Sequence, residues 1–223
     1  MRTEKRGMAR LTKVLIADDH ALIREGLKQI IADSGEFIVA AEAESGLVAL
    51  QQMREQALDL VLLDISLPDR NGIDVLRQAR RELPSLPILM LSMHREDQYA
   101  IRAIRAGAAG YLNKQSAPDE LIAAMRTVAG GRKYISQSLA QELASHIDQD
   151  SAQEAHNGLS DREFQTMVMI ASGKTVTQIA AELSLSVKTI SMYRTRLLQK
   201  MRMQNNAELT HYALKHQLVP DLQ

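Results

Sequence analysis

Between Lys13 and Val128 a short apolar run and an amphipathic stretch alternate five times, and this rhythm constrains the fold more than any other feature of the chain. The apolar runs are Lys13–Ala17, Phe37–Ala41, Asp59–Leu63, Pro87–Leu91 and Tyr111–Leu112. Each is too short for a helix and does not alternate with polar residues, which fits strands buried on both faces. The stretches after them carry apolar residues near helical spacing: Leu22, Leu27, Ile30 and Ile31 in 21–32; Leu47, Leu50 and Met53 in 45–56; Ile73, Leu76 and Ala79 in 72–81; Ile101 and Ile104 in 96–106. A fifth stretch has Leu121, Ile122, Met125 and Val128 on one face, with Pro118 in its first turn, where a missing N–H costs nothing. Five such units predict an α/β domain: a parallel sheet covered by helices on both faces.

In an open parallel sheet, ligands collect outside the carboxyl ends of the strands. The residues at those ends here are Asp18 and Asp19 after the first strand, Asp64 after the third, Ser92 after the fourth and Lys114 after the fifth. Asp18 and Asp19 repel each other, and a hard divalent cation such as Mg²⁺ would compensate, because it prefers carboxylate oxygens. Asp64 is placed to act as a nucleophile or a metal ligand. Pro68 and Gly72 break the chain just beyond it. Singly, each residue has a local explanation in a turn or loop, but together they put three acids, a hydroxyl and an ammonium on one edge.

These residues, with the run Asp64-Ile65-Ser66-Leu67-Pro68-Asp69-Arg70-Asn71-Gly72 and with Tyr111-Leu112-Asn113-Lys114, resemble the receiver domains of bacterial two-component response regulators over roughly Lys13 to Val128. The resemblance implies a flavodoxin-like, five-stranded sheet and a phosphoryl group accepted by Asp64 from a sensor histidine kinase. It implies that Asp18, Asp19, Asp64 and the backbone carbonyl of Ser66 hold Mg²⁺, that Lys114 pairs with the phosphoryl group, and that Ser92 hydrogen-bonds to it. It further implies that Ser92 and Tyr111 form a switch, Ser92 moving toward the phosphoryl group and Tyr111 rotating into the vacated space. The chemistry is consistent, because a carboxylate attacks phosphorus only when charge on the phosphoryl oxygens is neutralised and the geometry is in line. Met93 is bulkier than the residue often found there in receivers and would alter how long the phosphate lasts, whereas the short Ser66 leaves the site open.

Gly130-Gly131 ends the fifth helix, and 136–147 carries Leu139, Leu143 and Ile147 at helical spacing. Residues 148–157 are polar and acidic, without apolar residues beyond alanine, and read as a flexible linker. The expected division is a leader over 1–12 (Met8 is an equally good start), a receiver over 13–130, a linker with a short helix over 131–156 and a second domain over 157–223.

The second domain opens with Ser160-Asp161-Arg162-Glu163, a capping box, followed by Phe164, Met167, Val168 and Ile170. Thr175-Val176-Thr177-Gln178 is another capping box, leading to Ile179, Ala180 and Leu183. Ser186 can cap a third helix from Val187 to about Met201, and a fourth begins near Asn206. Helix, short turn, helix is the outline of the helix-turn-helix. At about 100° per residue, Val187, Ile190, Leu197, Leu198 and Met201 share one side of the third helix, and Lys188, Met192, Thr195, Arg196 and Gln199 the other. Arg194 falls within the apolar stripe and can snorkel to a phosphate. A polar, basic outer face near a helix start suits the DNA major groove.

The segment resembles the C-terminal domain of the NarL/FixJ regulators, shared with LuxR-type proteins, through Leu159-Ser160-Asp161-Arg162-Glu163, Gly173-Lys174-Thr175, Ile179-Ala180, Leu183 and Leu185-Ser186-Val187-Lys188-Thr189-Ile190. That implies an all-α, four-helix DNA-binding domain in which Ser191, Met192 and Thr195 face base edges. Lys174, Lys188, Arg194 and Lys200 would hold phosphates, and Arg196 adds charge to the same face. It also implies a homodimer on promoter half-sites, built partly through the helix at 206–214, and RNA polymerase as a further partner. Val176, Thr177 and Gln178 depart from the Asn-Lys-Glu more usual there, which removes one positive phosphate contact.

Charge agrees with two modules. Residues 157–223 carry eight basic and five acidic side chains, whereas the rest carries 19 and 22. There is no cysteine, which excludes disulfides and thiolate chemistry and fits a cytoplasmic, reducing compartment, and no apolar run approaches a membrane span. The reading is a phosphorylation-controlled transcription regulator rather than an enzyme. Two alternatives stand beside it. An aspartate-nucleophile phosphatase would want a second Asp two residues after Asp64, where this chain has Ser66. A phosphorylation-independent DNA-binding protein would use the first domain only for dimerisation, and would leave the set Asp18, Asp19, Asp64, Ser92 and Lys114 without a purpose.

Overall fold

A computed structural model describes residues 10–93, 97–136, 139–140, 155–216 and 218–219. Five parallel strands form one sheet: β1 (Thr12–Ala17), β2 (Phe37–Ala43), β3 (Leu60–Asp64), β4 (Ile88–Ser92) and β5 (Gly110–Asn113), in the order β2-β1-β3-β4-β5. Between and after them run α1 (Ala21–Ser34), α2 (Gly46–Glu55), α3 (Gly72–Glu82), α4 (Asp97–Arg105) and α5 (Pro118–Ala129). The chain leaves β1 in one direction to reach β2 and in the other to reach β3. The order therefore reverses between β1 and β3, where a crevice opens at the strand ends.

Strand periodicity divides the core into two layers. Val14, Ile16, Leu60 and Leu62 pack with Leu27 and Ile31 of α1 and with Leu121, Ile122 and Met125 of α5. Leu15, Ala17, Val61 and Leu63 pack on the other side with Leu50 and Met53 of α2, Val75 and Leu76 of α3 and Ile101 of α4.

Among the described residues that follow are the helices α6 (Asp161–Ala171), α7 (Val176–Glu182), α8 (Val187–Met201) and α9 (Asn206–Lys215), preceded by a short 3₁₀ turn, Ala155–Gly158. Both expected capping boxes form, Ser160 with Glu163 and Thr175 with Gln178, and Ser186 caps α8 through the Thr189 N–H. The second apolar layer of the sheet does not stop at α4. It continues through Phe164, Met167 and Ile170 of α6 into Ile190 and Leu197 of α8 and Leu209 of α9.

Three residues expected in the core lie outside it. Leu22 is 86% exposed, because α1 turns Ile23, Leu27, Ile30 and Ile31 toward the sheet and Leu22 falls on the opposite side. Leu47 is 57% exposed, because α2 presents Gly46, Ala49, Leu50 and Met53 to the sheet. Val187 is 48% exposed in the first turn of α8, ahead of the buried Ile190. Of the helix expected over 136–147, Leu139 is buried and the remainder beyond Ala140 lies outside the described residues, as does most of the expected flexible linker. His156, expected in that linker, is buried instead: its ring Nδ1 lies 2.9 Å from the Tyr212 hydroxyl of α9, and its carbonyl accepts a bond from Arg102 of α4 at 2.6 Å.

Candidate functional site

The residues after Asp64 each position a neighbour. Asp69 accepts from the Gly46 and Leu47 N–H groups at 2.7 and 2.8 Å, capping the start of α2. Asn71 caps α3 through the Ile73 N–H at 2.8 Å. Gly72 passes so close to the strand end that a Cβ there would lie 2.0 Å from the Asp64 carbonyl oxygen. At the far edge, the Lys114 N–H donates to the Ser92 carbonyl at 2.8 Å, which fixes Lys114 beside the end of β4.

The fold brings the acids and the amine together. Lys114 Nζ lies 2.6 Å from Asp18 Oδ2 and 2.8 Å from Asp64 Oδ2, and all three side chains are almost fully buried. Burial pushes the Asp64 carboxyl above its ordinary value. The Lys114 ammonium and a bond from the Ser66 N–H oppose that shift, and the Asp18 charge adds to it. Asp18, Asp19, His20 and Asp64 each offer a ligand atom within 4.8 Å of the others. Asp18 Oδ2 and Asp64 Oδ2 are buried without a well-directed hydrogen bond, and the one ammonium they share offsets only part of their charge. Orphaned carboxylate oxygens of this kind are what a hard cation takes, so the donor set fits a divalent metal. His20, with Nδ1 2.6 Å from Asp19, joins the cluster without having been assigned a role from sequence. Ser92 and Tyr111 are both buried beside the site, Tyr111 among the largest fully buried side chains, and Met93 is half-exposed at the mouth.

The mouth is partly covered, with His20 and Met93 on its open side. A cavity of about 120 Å³ is lined by Asp64, Ser66 and Lys114 on one side and by Gln165 and Met169 of α6, Glu182 and Leu183 on the other. Every residue of α6 is buried, including five polar ones, because one side faces α8 and α9 and the other meets the sheet domain. Arg102 donates to the Leu159 carbonyl at 3.0 Å and to Asp161 at 3.1 Å, and lies 4.2 Å over the Phe164 ring. Asp161 is also bound by Arg77 of α3. Arg162 donates to the Leu67 carbonyl at 2.7 Å and to Gln165 at 2.8 Å, and Gln165 donates to the Ser66 hydroxyl at 3.3 Å. Tyr99 of α4 packs edge-on against Phe164 at 5.2 Å. Burial lowers both guanidinium groups, Arg102 and Arg162, from their ordinary value, and Asp161 opposes this at Arg102. Sequence reasoning missed this set. The sequence singled out Asp161 and Arg162 only as part of a capping box and Phe164 and Leu183 only as core residues, and it pointed to none of them as an interdomain contact.

The outer face of α8 remains open. Lys188, Ser191, Met192, Thr195, Arg196 and Lys200 are exposed and Arg194 is half-exposed. Three of the expected phosphate-binding side chains have partners within the chain: Lys174 with Glu182 at 2.6 Å, Lys200 with Glu163 at 2.6 Å, and Arg194 with Asn206 at 2.6 Å. Arg194 thus reaches the start of α9 instead of lying in the apolar stripe. No helix among the described residues is long and apolar enough to cross a membrane.

Residues 14–126 match the response regulator receiver domain, and residues 157–213 match the bacterial regulatory proteins of the luxR family. The chain is 38% identical over 209 residues to the response regulator UvrY of Escherichia coli K12, covering 93% of this chain and 96% of that one. It is 35% identical over 210 residues to the response regulator GacA of Pseudomonas aeruginosa, covering 94% and 98%. Among solved structures, RcsB from Salmonella enterica serovar Typhimurium bound to the promoter rprA with beryllofluoride aligns with a TM-score of 0.61 at 25% identity, covering 91% of this chain and 98% of that one. The chain therefore belongs to the two-component response regulators that join a receiver domain to a LuxR-type DNA-binding domain, and it is a DNA-binding regulator rather than an enzyme.

Proposed function

We propose that Asp64 accepts a phosphoryl group from a partner histidine kinase, and that this changes how the receiver (13–130) holds the DNA-binding domain (157–223) across the linker (131–156). The observation that carries the reading is the buried ammonium of Lys114 shared between Asp18 and Asp64 at 2.6 and 2.8 Å. Asp18, Asp19, Asp64 and the Ser66 carbonyl would hold Mg²⁺, which when bound neutralises charge on the phosphoryl oxygens. Lys114 is then free to turn from the carboxylates to the phosphoryl group. Ser92 donates to that group, and Tyr111 follows. Tyr99, behind Tyr111, touches Phe164, so a change at the pocket reaches α6 through packed side chains.

On DNA, α8 enters the major groove as part of a homodimer on promoter half-sites, with α9 contributing to dimerisation. Ser191, Met192 and Thr195 read base edges, Lys174, Lys188, Arg194, Arg196 and Lys200 track phosphates, and RNA polymerase is the downstream partner in the cytoplasm. Support comes from the exposure of that face and from the RcsB–DNA complex, to which the chain is 26% identical with a TM-score of 0.58.

Incubation with Mg²⁺ and a small phosphoryl donor is expected to add one phosphoryl mass, labile to alkali and to hydroxylamine, to the parent chain and none to Asp64→Asn. An unchanged gain in the variant would overturn the assignment of Asp64.

A further inference from the structure

Acids are scarce around the helix that reads DNA. Between Glu163 and Glu208 the sequence has one, Glu182, and between Arg162 and Lys188 it has one base, Lys174. The fold joins these two. Lys174 stands just before Thr175, the N-cap of α7, with its N–H bonded to the Met169 carbonyl at 3.1 Å, and Glu182 is the last residue of α7. The ammonium bridges both carboxylate oxygens, at 2.6 and 2.7 Å. Helix stability does not explain the arrangement, because a helix dipole favours an anion at its start and a cation at its end, the reverse of what α7 carries. The two side chains are 37% and 49% exposed, so the pair can part without stranding a buried charge.

The other cations of this surface are placed differently. Among the described residues, Lys188 and Arg196 make no ion pair. Lys200 pairs with Glu163 at 2.6 Å, but that carboxylate is buried and also accepts from the Ser160 N–H at 2.8 Å. Drawing Lys200 away leaves a buried charge short of a partner, so Lys200 yields to phosphate less readily than Lys174 does.

We propose that Glu182 is an internal stand-in for DNA phosphate at Lys174, and that exchange of one for the other makes it a brake on affinity. The proposal rests on the reading of Lys174 as a phosphate contact. A phosphate that takes the ammonium must first displace a tethered carboxylate, and the freed Glu182 then stands near the backbone with like charge. Phosphate contacts carry no sequence information, so the brake lowers affinity for every duplex alike and leaves base preference to α8. It also flattens the dependence on salt, because one phosphate contact is cancelled in part from within the chain. The consequence is a regulator that is held less tightly by bulk DNA.

Binding is measured with the full chain, Mg²⁺ and the small phosphoryl donor throughout, on two duplexes: one recovered from a random-sequence pool by selection on the parent, and a shuffled copy of it. Glu182→Gln keeps the shape of an exposed side chain and removes its charge. It is expected to tighten binding to both duplexes by about threefold, the worth of an exposed ion pair. The slope of log affinity against log salt is expected to steepen by about 0.9, the increment for one phosphate. In a Lys174→Gln background the same substitution is expected to do far less. An effect of equal size in both backgrounds would mean that Glu182 acts by general repulsion or through the receiver, and overturns the exchange. Equal or weaker binding by Glu182→Gln than by the parent, with a slope flattened by Lys174→Gln alone, also overturns the exchange but leaves the contact standing. Tightening on one duplex only overturns the brake as sequence-independent. Equal binding by Glu182→Gln and the double variant overturns Lys174 as a phosphate contact instead.

Discussion

The acidic pocket and the outer face of α8 are built by opposite strategies. The pocket gathers side chains from positions 18, 64, 92 and 114, buries them, and shares one ammonium between two carboxylates, which leaves excess negative charge. The α8 face takes its residues from a single helix, leaves them exposed, and binds two of its expected cations, Arg194 and Lys200, to neighbours within the chain. A site assembled by tertiary structure fails when the backbone around it shifts. A site on one helix fails residue by residue.

The contrast can be broken most forcefully at Gly72. A Cβ placed 2.0 Å from the Asp64 carbonyl oxygen cannot be absorbed by side-chain movement. Gly72→Ala is expected to cost about 3 kcal/mol in urea unfolding, the upper range for overpacking, and to reduce phosphoryl acceptance with no side chain of the pocket altered. Unchanged stability would mean that the strand end is softer than its packing indicates.

Next comes the metal. Mg²⁺ at about 100 times its Kd should stabilise the parent by about 2.7 kcal/mol, and chelation should remove that gain. Asp18→Asn should show little of it. An equal gain in the variant would place the ion elsewhere.

Changes on α8 should be smaller and separable. Thr195→Ala or Met192→Ala is expected to relax preference at particular bases by about 1–3 kcal/mol. Lys188→Ala is expected to weaken binding alike on all sequences and to reduce the salt slope by about 1. If Lys188→Ala left the slope intact, the orientation of α8 on DNA would need revision.

The finest test is of charge in the metal-free protein. Burial holds the Asp64 carboxyl above its ordinary value of 3.8, so the folded state takes up a proton more readily than the unfolded chain. Ionised Asp64 therefore weakens the fold at neutral pH. That penalty fades as pH falls through the raised pKa and is gone below the unfolded value. Asp64→Asn is expected to melt above the parent at pH 7, with the gap narrowing toward acid. A lower melting temperature at pH 7 would show that pairing with Lys114 outweighs burial.

Much of the pocket was legible in the sequence because a parallel sheet converts order along the chain into position along an edge. Once five strand–helix units were recognised, Asp18, Asp64, Ser92 and Lys114 had to end on the same side. The capping boxes were legible because they are local. The docking of α6 was not. Arg102 with Asp161, and Ser66 with Gln165, join residues far apart in the chain, and each looks like an ordinary solvated polar residue until its partner is present. Helical spacing grouped Leu22 and Leu47 with core residues, but the faces that meet the sheet are centred on neighbours, Ile23 with Leu27 in α1 and Gly46 with Leu50 in α2, which leaves both leucines outside.

The apolar layer that runs from α2 through α4 and Phe164 to Leu209 has a thermodynamic corollary. Two modules sharing one interior lose their independence, so calorimetry of the seated chain should record a single heat-absorption peak. Pulled apart, each half keeps only its own share of buried surface, and the trace should resolve into two peaks of smaller enthalpy.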